Sequence, residues 1–430
     1  LISAVYNLVD SVYVAQYSDE AFLALSYAYP IQMLLVAFCS GIGVGFSAIF
    51  SRRLGEGDQE QAASAVCHGF FLYGLCWLLF LLFALTGAAP FLRLSTEDPS
   101  VARQGAQYLL ICCGLSIGTC MQFLTERILQ AMGRPAGFMT VQGSGAILTL
   151  ILDPIFSFVL DLGVAGAAAA TVIGQISGAL IGFWLVYRLR RQLPIRLRGF
   201  RPRGEMLAEM GRVAAPAVVM QSLSSFMSLG LNQLLTRWSQ SAVFVLGAYF
   251  KLQSFIFMPV FGLNQGLMPI MGYNFGARKK QRLNSATKYG CVIALVLMGA
   301  GMLVFWLMPD VLLSIFNASA DMLKIGVPGL RIISLCFLPA ALGIVGSTFF
   351  QAVGKGVNSL LVSLLRQLIV LLPAAFLLAK LGVVEWVWYA FPIAETFSLL
   401  ATIVLYLRVY KRQIQNLEQE PSRISGPEIE

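Results

Sequence analysis

Charge is scarce in this chain. Of its 430 residues only 12% are Asp, Glu, Lys or Arg, where a soluble domain carries about 25%. Hydrophobic residues make up 58% and mean hydropathy is +0.76. That leaves too little polar material to cover a water-facing globule. It excludes a disordered chain, a secreted disulfide scaffold and an ordinary cytosolic enzyme. Histidine is scarcer still: His68 stands alone, which excludes a His-based metal centre. The eight cysteines (39, 67, 76, 112, 113, 120, 291 and 336) form no CxxC pair and all lie in apolar stretches. They read as small buried hydrophobes, with no disulfide framework and no metal cluster implied. No GxxxxGK[ST] loop occurs, and GKG at 354–356 does not satisfy it, so ATP is not the direct energy source. GLSIG at 114–118 has the GxSxG form but lies within an apolar run, where its small residues suit close helix approach better than nucleophilic catalysis. We expect no enzyme and no catalytic residues.

What is present is apolar sequence in long runs. A bilayer core about 30 Å thick needs roughly 20 apolar residues per helix. That ruler gives twelve spans, near 1–17, 23–50, 62–90, 103–132, 137–160, 166–188, 212–238, 243–273, 286–309, 322–353, 357–380 and 384–408. They must be helices, because lipid offers backbone groups no partner. The fold expected is an all-α polytopic membrane protein. The chain opens without Met and already inside the first run, so we expect the start of helix 1 to be trimmed.

Basic residues fall after the even-numbered spans: Arg52 and Arg53, Arg134, seven Arg between 188 and 203, then 278–282, Lys355 and the tail from Arg408. The odd-numbered loops hold acidic pairs such as Asp19–Glu20 and Glu97–Asp98. By the positive-inside rule the even loops and the C-terminus are cytoplasmic. The basic 188–203 stretch is then a topology determinant near anionic lipid, not a nucleic-acid patch; no nucleic-acid partner is expected.

The chain also repeats. GIGVG at 41–45 returns as GLNQG at 262–266, 221 residues on, and the same offset relates Gln32 to Gln253, Gly55 to Gly276 and QAMGR (130–134) to QAVGK (351–355). Each copy holds six spans, an even number, so both have the same orientation and are related by a pseudo-two-fold along the membrane normal. This divides the chain into a six-helix bundle over 1–188, a basic linker over 189–211, a second bundle over 212–410 and a tail over 411–430.

Ionisable groups inside a membrane are costly and mark function by default. Asp10, Glu126, Asp153 and Glu395 qualify. Tyr6 and Thr149 each stand four residues before an acid, on the same helical face. At the repeat offset Asp10 maps to Leu231 and Asp153 maps to Ala374, so these two carboxylates belong to the first copy alone. Such a pair either holds a sodium ion through hard oxygen ligands or shares a proton. The competing reading makes Asp10 a packing hydrogen bonder and Asp153, before Pro154, a helix-kink marker.

FGLNQGLMPIMGYNFGARKKQR (261–282), QAMGRP (130–135), LDPIF (152–156) and GVAGAAAATVIGQ (163–175) resemble stretches of multidrug and toxic compound extrusion (MATE) transporters of the bacterial multidrug-efflux type. The resemblance covers essentially the whole chain. It implies two six-helix bundles facing each other in a V around a central cavity. The implied activity is export of cationic, amphipathic drugs in exchange for protons or sodium ions. It also implies an N-terminal cation or proton site onto which Tyr6, Asp10, Asp153 and Thr171 map. Many members have Asn four residues before the second Asp; here Thr149 stands there, which leaves the ion open.

Other candidates for contact with substrate are Gln32, Met33, Glu126, Lys251, Gln253, Gln265, Arg366 and Glu395. Arg366 and Glu395 read equally as an ion pair that fixes helix packing, and Lys251 as an internal counter-ion or a snorkelling side chain. The expectation is therefore a monomeric, cation-coupled drug exporter of the cell membrane, with no cofactor beyond bound Na+ or H+. The alternative is a lipid-linked oligosaccharide or lipid flippase of the same superfamily, which would favour a strongly cationic cavity.

Overall fold

A computed structural model of the chain describes residues 19–96, 98–160, 162–189, 200–236, 240–315, 319–415 and 417. Among them every regular element is helical. In chain order these are α1 (Asp19–Gly55), α2 (Gln59–Thr86), α3 (Ala88–Ser95), α4 (Pro99–Gly114), α5 (Ile117–Ala131), α6 (Pro135–Pro154), α7 (Gly163–Arg188), α8 (Gly204–Thr236) and α9 (Gln240–Gly276). Then follow α10 (Lys280–Leu307), α11 (Pro309–Ser314), α12 (Ala320–Ser334), α13 (Phe337–Ala352), α14 (Gly356–Leu364), α15 (Leu371–Ala379), α16 (Val384–Trp388) and α17 (Ala390–Val409). π-Helical turns occupy Ile155–Val159, Leu365–Ile369 and Tyr410–Ile414. Nine of the described helices are long and apolar enough to cross a membrane, or eleven if each bent pair counts as one span. The span expected at 1–17 lies outside the described residues.

The 221-residue repeat is visible element by element. α2 and α3 recur as α10 and α11, α4 and α5 as α12 and α13, and α6 starts at Pro135 where α14 starts at Gly356. Even the caps recur. Asp98 accepts from the backbone N–H groups of Ser100 (2.8 Å) and Val101 (3.5 Å) at the start of α4, and the Ser100 N–H holds its carboxyl below the usual carboxylate range. At the same offset Ser319 accepts from Met322 N–H at the start of α12. Each cap satisfies donors that a helix start leaves open. Gly133 and Gly354 both take positive φ after their helices, the conformation that ends a helix most readily with glycine.

Three features depart from the hydropathy reading. The runs 103–132 and 322–353 are each two helices, meeting at 42° and 45°. GLSIG marks the first of these breaks: Ser116 Oγ donates to Cys113 O (2.8 Å), as Ser334 Oγ does to Arg331 O (2.9 Å) near the second. The linker expected over 189–211 gives way to helix at Gly204. Met206, Met210, Val213, Ala214 and Ala217 recur on one buried face, so an apolar stripe extends the helix into the basic stretch.

Contacts gather the described residues into two compact units. One runs to Ser51 and from Asp58 to Ser222; the other comprises Arg52–Gly57 and the residues from Leu223 onward. In the first, glycines let helices touch. A Cβ on Gly41 would overlap Val218, one on Gly45 would lie 2.6 Å from Met210 O, and one on Gly174 would collide with Thr149 Oγ1. Among the described residues, the matching Gly262 and Gly266 in the second unit have open space beside them. Replacing Gly174 by leucine must separate α6 from α7 and should cost about 1–3 kcal/mol or more. Leucine at Gly143, on α6 with nothing nearby, should be tolerated. Thermal unfolding of the two purified variants checks the contrast.

Candidate functional site

Tyr6 and Asp10 lie outside the described residues; the other residues named for the coupling site are in the first unit. Asp153 closes α6 and is 1% exposed. Pro154 follows, with no N–H to donate, and the backbone passes into the π-helical turn Ile155–Val159. That turn places Ser157 one turn on, and its hydroxyl donates to Asp153 Oδ1 at 3.3 Å. Thr149, one turn back, is 4% exposed and donates to Gly145 O at 3.0 Å. Its proton is spent there, which leaves its lone pairs as acceptors.

Thr171 on α7 is 4% exposed. α6 and α7 are antiparallel neighbours, with Gly178 against Val141 O and Gly174 against Gly145 O and Thr149. That register sets Thr171 level with residues 148–152 of α6, the turn that leads into Asp153. The Asp153 carboxylate with the Ser157 hydroxyl, and the buried Thr149 and Thr171 hydroxyls nearby, are hard-oxygen donors of the kind that suit a proton or an alkali cation. Ser157 was missed by the sequence reading; its spacing of four from Asp153 was the available signal.

A second polar group lies beside it. Gln122 Nε2 donates to Glu126 Oε1 at 3.0 Å, Thr119 Oγ1 donates to Gln175 Oε1, and Gly178 leaves room for the Gln122 amide. Glu126 is 5% exposed and held locally. Arg127, equally buried, turns to the other face of α5, where it donates to Gln130 Oε1 at 3.2 Å and borders Gly43 and Tyr73.

The remaining candidates scatter. Gln32 Nε2 donates to Tyr108 Oη at 3.0 Å, a packing contact, and Met33 is 37% exposed. In the second unit Lys251 is exposed, and Gln253 and Gln265 are half-buried along α9. Arg366, inside the second π-helical turn, meets Glu395 with Nε 3.6 Å from Oε1. Tyr249 Oη, Trp388 Nε1, Ser398 Oγ and Glu395 Oε2 are buried with no hydrogen-bond partner among the described residues. At the repeat offset Asp153 corresponds to Ala374, Thr149 to Val370 and Thr171 to Pro392, so the two units carry different polar centres.

The MatE family model matches residues 1–155 and 216–377. The chain belongs to the MatE family. Curated relatives include the multidrug export protein MepA of Staphylococcus saprophyticus, 26% identical over 414 residues that cover 95% of this chain and 90% of the relative. MepA of Staphylococcus aureus matches with the same figures. Among solved structures, a MATE transporter in a bent conformation superposes with TM-score 0.88 at 24% identity, over 97% of this chain and 93% of that one. A MATE complex with MaD3S gives 0.87 at 25%, over 97% and 94%. An all-α MatE fold built from two repeat-related halves follows.

The Arg366–Glu395 pair makes a prediction for this MatE chain. Removing Arg366 alone strands a mostly buried carboxylate and should cost about 3–5 kcal/mol. Arg366→Met combined with Glu395→Gln should recover most of that loss. Thermal unfolding of the single and double variants decides it; equal losses would contradict a paired role.

Proposed function

We propose that this MatE chain is a secondary active exporter that expels cationic, amphipathic compounds across the cell membrane in exchange for protons or sodium ions by alternating access. Asp153 carries the reading: an acid 1% exposed, in a membrane helix, bonded to the Ser157 hydroxyl and absent from the second copy. Isolated charge in such a place is strongly disfavoured, so the carboxylate is stable when protonated, cation-bound or paired. Asp10 is assigned as its partner acid, and Tyr6, Thr149 and Thr171 as supporting oxygens. The multidrug export that names the MepA relatives supports the substrate class.

Coupling needs a site whose cation affinity differs between two states. The π-helical turn after Asp153 is the element we assign to that change, because it can be rewound without losing a whole turn of backbone hydrogen bonds. Neutralising Asp153 favours one winding and ionising it the other. On α9, Lys251 and Phe255, both exposed, are assigned to substrate contact, with Gln253 and Gln265 as adjacent hydrogen bonders. By the distribution of basic loops the C-terminus is cytoplasmic, and the chain acts as a monomer.

Ethidium efflux from energised vesicles, under a proton gradient alone and a sodium gradient alone, tests this reading. One gradient should drive uphill transport and thereby name the ion, and Asp10→Asn and Asp153→Asn should reduce it to background at normal expression. Dye movement that ignores both gradients would contradict antiport. No movement under either would favour the flippase, for which lipid-linked substrates would be assayed.

A further inference from the structure

Three cysteines far apart in sequence meet in the first unit. Cys39 on α1, Cys76 on α2 and Cys120 on α5 are 0%, 4% and 0% exposed, and their Sγ atoms all lie within 4.8 Å of one another. Cys39 Sγ and Cys120 Sγ are 3.7 Å apart. Spacing alone gave no hint of this, since no two of the three are neighbours on one helix, and the expectation of no metal cluster rested on that spacing.

The geometry is that of a three-coordinate metal site. Metal–thiolate bonds of about 2.3 Å, the zinc value, put the sulfurs of a planar trigonal complex about 4.0 Å apart, and larger soft ions spread them further. The 3.7 Å between Cys39 and Cys120 and the 4.8 Å limit on all three separations are compatible with that spacing. They are far from the roughly 2.05 Å of a disulfide. Zinc in structural sites takes four ligands, whereas this trio sits in an apolar environment. Tyr73 Oη, close by, is committed to Cys39 O at 2.9 Å.

Charge points the same way. On binding, each S–H gives its proton to solvent as its sulfur bonds the ion, so three thiolates and a divalent cation leave one negative charge. Arg127 lies one helical turn from Cys39: a Cβ on Gly43 would sit 2.9 Å from both Arg127 Nε and Tyr73 Oη. Arg127 stands seven residues after Cys120 on the same face of α5, and its Nη1 donates to Gln130 Oε1 at 3.2 Å. A buried anionic cluster beside a buried cation is far less costly than either alone.

We propose that Cys39, Cys76 and Cys120 form a binding site for a soft, closed-shell divalent cation of the cadmium or mercury kind, clasping α1, α2 and α5 through three thiolates. This site is separate from Asp153 and does not depend on the proposed transport cycle.

The test uses Cd2+ as the probe on full-length protein in detergent, with Cys67, Cys112, Cys113, Cys291 and Cys336 replaced by alanine. Equilibrium dialysis should find one Cd2+ per chain, with sulfur-to-metal charge-transfer absorption and three sulfur neighbours by X-ray absorption. Adding Cys39→Ala, Cys76→Ala or Cys120→Ala should each weaken binding by at least about 10–100-fold, the loss that removing even an outer-shell partner causes. In otherwise unsubstituted protein, Cd2+ should raise the thermal-unfolding midpoint by mass action, and Cys76→Ala should remove that shift. Binding below one ion per chain in the five-alanine protein, or binding undiminished by the further replacements, would mean the trio is packing only and would overturn the proposal.

Discussion

A membrane helix has to satisfy its own backbone, and this constraint governs the rest of the structure. With lipid as solvent, N–H and C=O groups bond within each helix or remain unmet at a cost of several kcal/mol. Departures from the α-helical ladder are therefore confined to places where another group or another geometry takes over. Here they fall at two bends, where serine hydroxyls donate to freed carbonyls, and at π-helical turns, where the ladder shifts register without stopping. Two of those turns adjoin buried polar centres, Asp153 in the first unit and Arg366 with Glu395 in the second.

Duplication explains both what the units share and where they differ. Helix ends, caps, bends and positive-φ glycines recur at a 221-residue offset, because they depend on chain geometry that both copies keep. Polar centres do not recur. The first unit places an acid among hydroxyls between α6 and α7, while the second pairs an acid with an arginine. One scaffold thus carries two kinds of interior.

The helices and the repeat were legible in the sequence because hydropathy and identity at fixed offset are one-dimensional signals. Asp153 and Thr149 were legible for a similar reason, as an acid in an apolar run with a neighbour at i−4. The bends were not, since Leu115 and Cys336 are as apolar as their surroundings and nothing in hydropathy separates one bent span from a straight one. The π-helical turn beside Asp153 was signalled only as a Pro154 kink. Gln32 illustrates the other kind of gap: its partner Tyr108 is 76 residues away. The cysteine trio is the extreme case, assembled from three helices, which no spacing rule could reach.

In the proposed cycle, cation at Asp153 and bound substrate oppose one another. The most direct test is the affinity of purified protein for a cationic dye, titrated across proton and across sodium concentration in wild type and Asp153→Asn. Linkage requires the effect to be reciprocal. The account predicts that dye Kd rises with the coupling ion in wild type and becomes independent of it in Asp153→Asn. Full ion dependence retained in the variant would contradict it.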